Sequence, residues 1–168
     1  MKALLRNTLF VVSGLLFAHG PAYCAQWVDV QGTNAVIEYP GNTTNSAAGS
    51  AATYYKGWGL DFVQKAYTDN WVHSSVPSIG AQTATQIEVK YYKQYANASI
   101  TDVHIYNGNT PVLKTVAPTS STAGWNYFTI SLGGTLSFPY GLGVSLHVVP
   151  APGADTDFQI GDVGAYFN

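Results

Sequence analysis

The most regular pattern in the chain is an alternation of apolar and polar residues with a period of two. Between Thr85 and Lys93, for example, Ile87, Val89 and Tyr91 alternate with polar side chains. Successive side chains of a strand point to opposite faces, so this pattern predicts strands with one buried face. No segment with helical periodicity competes with them. The predicted strands are residues 27–30, 35–39, 54–62, 70–74, 85–93, 100–106, 112–116, 125–132, 144–149 and 157–167.

Turn-forming residues separate these strands. Asn107-Gly108 follows one strand directly and predicts a hairpin, while Gly133-Gly134 and the stretch from Pro150 to Gly153 separate later strands. About nine or ten short strands at this spacing predict an all-β fold. The expected architecture is a single antiparallel β-sandwich that is jelly-roll-like.

Residues 41–53 differ from the rest, because small polar side chains dominate and almost none is large enough to bury. This composition predicts a flexible surface loop that joins two strands rather than a boundary between domains. We therefore expect residues 26–168 to form one domain.

The first 25 residues have the order of a signal peptide. Two basic residues precede an uncharged apolar run, Leu9–Ala18, and small residues follow a helix-breaking segment. The run is shorter than the roughly 18 to 20 residues that a membrane span needs. We expect cleavage after Cys24 or Ala25, and a secreted or periplasmic protein that has no membrane contact after cleavage.

Cys24 has a second interpretation, as the lipidated first residue of a bacterial lipoprotein. Pro21 and Tyr23 stand where such a signal has leucine and a small residue, so ordinary cleavage is favoured. The domain that remains carries no cysteine and cannot use a disulfide framework.

The charge balance narrows the classes of partner. After cleavage the chain keeps five lysines against nine acidic residues, which gives a net charge of −4. The absence of a basic patch argues against nucleic acid and anionic membranes as partners. Only 10% of the full chain is charged, so Thr, Ser, Asn, Gln and Tyr must provide most of the polar surface.

Several short phrases rich in Trp, Gly, Tyr and Pro follow one another along the domain: Gln26-Trp27-Val28, Gly32, Val36–Pro40, Gly57-Trp58-Gly59, Asn70–His73, Val76-Pro77, Val103–Ile105, Gly108, Gly141–Leu146 and Gly164–Phe167. In this order they resemble an uncharacterised family of small β-sandwich domains of unknown function. Gln31 stands where that family usually has histidine, and Ile79 where it has a second proline. The resemblance implies the sandwich fold and transfers no activity.

No motif predicts an enzyme. Gly-x-Ser-x-Gly is absent, and Ser145 and His147 share a strand face only because they are two residues apart. His104 and His147 could be neighbours across a sheet, but we interpret them as solvated surface residues. Neither a metal nor a cofactor is predicted. The segment Asp155–Asp157 could offer oxygen ligands to calcium, although turn chemistry is the favoured interpretation.

The aromatic content is the feature that these interpretations leave unexplained. The chain has four Trp, eleven Tyr and five Phe after residue 25. The phenylalanines at 62, 128, 158 and 167 fit the core, whereas other rings fall on polar positions of their strands. Rings among polar side chains suit a sugar, a protein partner, or a core that is completed beneath a covering loop.

The function prediction is therefore a non-catalytic binding module, with carbohydrate as the expected ligand. The alternative is a structural or protein-interaction domain of the cell envelope or extracellular matrix, with an envelope protein as the partner. The candidate ligand-binding residues are Trp58, Tyr92, Tyr106, Trp125, Tyr127, His104 and His147.

Overall fold

The computed structural model describes residues 25–44, 55–78 and 83–168. The predicted signal peptide, apart from Ala25, and residues 45–53 of the predicted loop lie outside these ranges. The described chain contains eleven strands and two 3-10 turns, Gly32–Asn34 and Pro40–Asn42. The strands are β1 Gln26–Gln31, β2 Val36–Ile37, β3 Tyr55–Lys56, β4 Gly59–Gln64, β5 Asn70–Val76, β6 Thr83–Lys93, β7 Ser99–Asn107, β8 Thr110–Val116, β9 Gly124–Ser137, β10 Leu142–Val149 and β11 Thr156–Phe167.

The strands form two sheets, and all pairs are antiparallel. Sheet A has the order β3-β4-β11-β6-β9. The strands β4 and β1 lie along the same edge of β11: β4 pairs with its first half and β1 with its second half. Sheet B has the order β2-β5-β10-β7-β8. From β5 onwards the chain crosses between the sheets at every connection except the β7–β8 hairpin. The predicted antiparallel β-sandwich is confirmed. No helix among the described residues could cross a lipid bilayer.

The inner faces of the two sheets supply the core. Phe62 and Phe158 stack with ring centroids 5.8 Å apart, and Phe128 and Phe167 are also buried, as the sequence predicts. One charged residue joins them: Lys93 is 1% exposed at the end of β6. Its ammonium donates hydrogen bonds to three backbone carbonyls of the adjoining segments, those of residues 96, 98 and 120, at 2.6–2.7 Å.

Two predicted strand boundaries are wrong. In place of one strand predicted over residues 54–62, the described residues form a hairpin of β3 and β4 that turns at Gly57-Trp58. Gly133-Gly134 lies inside β9 and does not end a strand. The pairing register with β6 shifts there, because Gln86 pairs with Ser131 whereas Ala84 pairs with Leu136. Gly133 has φ +73°, a conformation that favours glycine. The two glycines therefore form an irregularity within a paired strand rather than a turn between strands.

The first residues of the predicted loop are packed against sheet A. Thr43 is fully buried and forms a bridge with Gln64, after the 3-10 turn Pro40–Asn42. Thr44 donates its backbone N–H to the carbonyl of Val63. The predicted loop is therefore part of the packed sandwich at least as far as Thr44.

Candidate functional site

The outer face of sheet A carries four of the eight exposed aromatic side chains of the described chain and five of its nine acidic side chains. Its cross-strand pairing places the side chains in four transverse rows, each with one residue from four neighbouring strands. From one end of the sheet to the other the rows are Trp125–Tyr92–Gln159–Asp61, Tyr127–Lys90–Asp162–Gln31, Thr129–Glu88–Gly164–Asp29 and Ser131–Gln86–Tyr166–Trp27.

Four of the seven predicted site residues meet at the first end of this face, and we call Trp58, Tyr92, Trp125 and Tyr127 the aromatic platform. Trp125 makes edge contacts with Trp58 and Tyr92, with ring centroids 5.8 and 5.9 Å apart. Trp58, Trp125 and Tyr127 are 43%, 49% and 76% exposed. These three rings therefore do not complete the core beneath a covering loop, which was one of the open alternatives.

A glycine allows Trp125 to lie across the sheet. The indole starts on β9, passes over β6 and reaches Gly161 on β11, where an added Cβ would lie 2.9 Å from Trp125 Cζ3. Gly161 is the extra residue of β11 at the register shift between Ile160 and Asp162. The ammonium of Lys90 lies 5.6 Å from the Trp125 ring centroid, within cation–π range.

Close backbone packing brings Trp58 to the same place. Trp58 is in the β3–β4 turn, which is held against β11 because Gly59 has no side chain. An added Cβ there would lie 2.3 Å from the carbonyl oxygen of Ile160, and one at Gly32 only 1.8 Å from the same oxygen. Any larger residue at Gly59 would push the turn, and with it Trp58, away from the sheet.

Two adjoining grooves border the platform. A groove of about 340 Å³ is lined by Trp125, Tyr127, Lys90, Glu88 and Asn126. The second, of about 270 Å³, shares Trp125 and Lys90 with the first and is also lined by Trp58, Gly161, Asp162 and Gln31. Each groove combines ring surface with hydrogen-bonding groups, which is the composition of sites for small polar ligands.

Negative charge predominates on this face. Burial, and then the neighbouring carboxylate Asp61, raise the pKa of Asp157 to about 6. Burial and then the charge of Asp29 raise the pKa of Asp162. The carboxylates of the face are Asp29, Asp61, Glu88, Asp157 and Asp162, and its cations are Lys56 and Lys90.

The other three predicted residues lie on the opposite side of the protein, on the outer face of sheet B. Trp71 packs against His104 and His147, with ring centroids 4.5 and 4.7 Å away, and Tyr106 packs beside His104. The seven predicted residues therefore form two sites rather than one. Parity along a strand predicts an outward side chain but not the sheet to which the strand belongs.

The interpretation of both histidines as solvated surface residues is also wrong. The His147 Nε2 is 2.7 Å from Asp69, and Nδ1 is 2.7 Å from Thr101 Oγ1 and 3.3 Å from Asp102. Burial, followed by the positive charge of Lys114, lowers the pKa of His104. Both rings are thus engaged with the protein, because each packs against the Trp71 indole.

A second polar arrangement on sheet B has the order serine–histidine–carboxylate. His73 Nδ1 is 2.7 Å from Ser145 Oγ, and Nε2 is 3.1 Å from Glu38. Ser145 is 4% exposed on β10, which pairs with a strand on each side. Its neighbouring backbone amides are committed to these two ladders, so they do not form an oxyanion hole, and the serine lacks the exposed turn of a nucleophile.

The segment suggested for calcium forms turn hydrogen bonds instead. Asp155 accepts the backbone N–H of Ala66, and Thr156 bonds across the turn to Ala151, whereas Asp157 points to the outer face of sheet A. Within residues 25–44, 55–78 and 83–168 there is no group of three or more His, Cys, Asp or Glu side chains placed to hold a metal ion.

The outer faces of the two sheets also carry three rings that were not singled out from the sequence as candidates: Trp27, Trp71 and Tyr166. Trp27 and Tyr166 face each other across β1 and β11 with ring centroids 5.4 Å apart. Trp27 shares strand parity with Asp29 and Gln31, a polar pattern that could have placed it on the outer face. For Tyr166 no such signal exists, since glycine and alanine precede it.

Comparison with family models gave no match, and comparison with curated proteins gave none. The resemblance to an uncharacterised family therefore stays a prediction. Among solved structures, two variants of the family 29 carbohydrate-binding module CBM29-2 align with a TM-score of 0.50 and 11% identity. The two alignments cover 85% and 84% of this chain, and 93% and 92% of the length of the respective module. At this identity the likeness shows the β-sandwich fold alone.

The catalytic unit of the thermostable GH87 α-1,3-glucanase from Streptomyces thermodiastaticus strain HF3-3 aligns with 14% identity and a TM-score of 0.45 over 83% of this chain. This chain spans 26% of the length of that chain.

Proposed function

We propose that this protein is a non-catalytic module that binds carbohydrate through the aromatic platform on the outer face of sheet A. The observation that carries the proposal is the meeting of exposed rings at one end of the face, between two grooves with polar lining. A sugar ring presents C–H groups to an aromatic face and hydroxyls to polar groups around it.

The arrangement of polar groups supports this ligand class. Lys90 supplies N–H donors beside Trp125, and Glu88 and Asp162 supply oxygen acceptors. The Oδ1 atom of Asp162 is buried without a protein hydrogen-bond partner. Sugar hydroxyls donate as well as accept, so one ligand class satisfies both kinds of group.

The fold and the polar network of sheet B are consistent with binding without catalysis. The aligned CBM29-2 structures are carbohydrate-binding modules with the same sandwich architecture. Ser145, His73 and Glu38 have the order of a hydrolase triad. Because Ser145 is buried on a central strand, the three residues form hydrogen bonds between strands instead. Together with the predicted signal peptide, this supports a binding protein that acts outside the cytoplasm.

The test is a glycan array followed by titration calorimetry and tryptophan fluorescence on the best ligand. Trp125→Ala and Tyr127→Ala are expected to weaken binding about tenfold each, which corresponds to about 1.4 kcal/mol of lost ring contact. Tyr127 is the safer variant for folding, because its side chain is largely exposed. Trp58 and Trp125 lie at the grooves, so their emission is expected to change on binding.

Tyr140→Ala is the matched control, since Tyr140 is 80% exposed in the turn between β9 and β10, away from the platform. It should bind as the parent protein does. No response from plant, microbial or host polysaccharides would overturn the proposal. The alternative, an interaction domain of the envelope or matrix, would then be examined by light scattering and crosslinking.

A further inference from the structure

A second pair of aromatic rings lies at the other end of the face that carries the platform. Trp27 on β1 and Tyr166 on β11 are direct cross-strand partners with tilted rings, and Trp27 is 39% exposed. They form the fourth row with Gln86 and Ser131. The same sheet surface therefore has rings at both ends and polar residues between them.

The distance between the two ends follows from the strand geometry. From Trp125 to Ser131 the chain advances six residues along β9, about 20 Å at roughly 3.3 Å per residue. Crossing from β9 to β1 adds three interstrand steps, about 14 Å at roughly 4.8 Å each. A single sugar on the platform cannot reach Trp27, whereas an extended chain of sugars can.

The surface between the two ends is flat enough for such a chain. Gly164 lies in the middle of the third row, and an added Cβ there would lie 1.8 Å from the Asp29 carboxylate. The carboxylate thus folds over the glycine, and no large side chain rises between Gly161 and Tyr166 on β11 except that of Asp162.

The charges of this surface restrict the kind of chain. Asp29, Glu88 and Asp162 lie in the two central rows, where Lys90 is the one cation. Burial of Asp162 and its nearness to Asp29 make additional negative charge unfavourable there. A polysaccharide with carboxylate or sulfate groups would be repelled, while hydroxyls can donate to the carboxylates.

We infer that the ligand is an extended polysaccharide without acidic groups, which lies along the outer face of sheet A from the aromatic platform to the Trp27–Tyr166 pair. This inference rests on the proposed function and makes it more specific in ligand length and charge. In this arrangement Trp27 and Tyr166 contact the distal sugars, and the central carboxylates exclude acidic glycans.

The length test compares disaccharides with hexasaccharides of β-1,4-linked glucose, mannose and xylose, by calorimetry on the full domain. For the sugar that binds best, the hexasaccharide should bind at least about tenfold more tightly than the disaccharide. Trp27→Ala should remove most of this gain, and Trp125→Ala should weaken both lengths. Tyr140→Ala again serves as the control, and thermal melts verify that each variant folds.

The charge test uses a hexasaccharide of galacturonate. It should bind at least about tenfold more weakly than the best neutral chain, and the difference should narrow at high salt, which screens the repulsion. The double variant Glu88→Gln/Asp162→Asn should also narrow the difference in affinity between the acidic and the neutral hexasaccharide.

The possible failures separate the two proposals. Equal affinity for disaccharide and hexasaccharide, unaffected by Trp27→Ala, would overturn the inference and leave the proposed function intact. Galacturonate bound as tightly as the neutral chain would overturn the charge argument in the same way. Absence of binding to every glycan would overturn both.

Discussion

The acidic pair Asp61 and Asp157 gives a quantitative test of the electrostatics of sheet A. The two residues lie on β4 and β11, where Asp61 is opposite Gln159 and Asp157 is one outward position away. Gln159 donates to Asp157 at 3.3 Å, and Lys56 lies 3.8 Å from Asp61. Burial and the neighbouring carboxylate together raise the pKa of Asp157 to about 6.

The direction of the pH effect follows from this raised pKa. Between about pH 4, the range of an ordinary aspartate, and about pH 6, the folded protein holds the Asp157 proton more tightly than the unfolded chain does. The stability that protonation contributes is full below this window and is lost as the pH rises through about 6. At neutral pH the ionised carboxylate of Asp157 therefore destabilises the fold.

Asp157→Asn removes this charge, so the variant should be more stable than the parent protein at pH 7.5. A rise of about two pKa units corresponds to roughly 3 kcal/mol if fully expressed. Since the group is only partly buried, solvent screening reduces this, and we expect about 1 kcal/mol. That is an increase of roughly 3 °C in Tm for a domain of this size.

Urea unfolding at several pH values, monitored by tryptophan fluorescence, measures this effect. The gain of Asp157→Asn should shrink as the pH falls from about 6 and vanish near 4. Asp61→Asn should give a smaller gain, because it removes the repulsion but not the burial of Asp157. The double variant should give less than the sum, because both substitutions remove one repulsion. A gain that is independent of pH, or that grows in acid, would refute the reasoning.

Two further substitutions test the packing. Lys93→Met should lower the free energy of unfolding by about 3 kcal/mol, because one buried and two partly buried carbonyls lose their charged donor; a loss below about 1 kcal/mol in urea unfolding would contradict this. Gly32→Ala should cost about 3 kcal/mol, since the added Cβ would lie 1.8 Å from a backbone carbonyl of β11, whereas Gly57→Ala, with no atom within 4 Å, should be neutral. Equal melting temperatures for the two alanine variants would show that the close approach at Gly32 is relieved without strain.

The sequence predicts those parts of the fold that depend on local periodicity. Alternation places Ile87, Val89 and Tyr91 inward on β6, and the structure buries all three. The same alternation places Trp125 and Tyr127 outward, which is also confirmed. Both results require only that neighbouring side chains of a strand point to opposite sides.

The assembly of the site depends on contacts that have no local signature. Tyr92 and Tyr106 have equivalent positions in their strands, yet β6 belongs to sheet A and β7 to sheet B. Pairing between residues far apart in sequence decides this membership. Likewise, Gly161 admits the Trp125 indole only because β9 and β11 flank the same strand, and the glycine alone does not indicate such a contact.

The polar groups of the two outer faces differ in whether they already have hydrogen-bond partners in the protein, and this difference favours sheet A as the ligand surface. On sheet B, His147 and His73 each have a hydrogen-bond partner at both ring nitrogens. A ligand there would have to replace existing hydrogen bonds, with little net gain. On sheet A, the Trp125 indole is half exposed, and Asp162 Oδ1 has no protein partner. A sugar that covers this ring and donates to this carboxylate adds contacts without breaking any, so the binding energy of the domain should reside on this face.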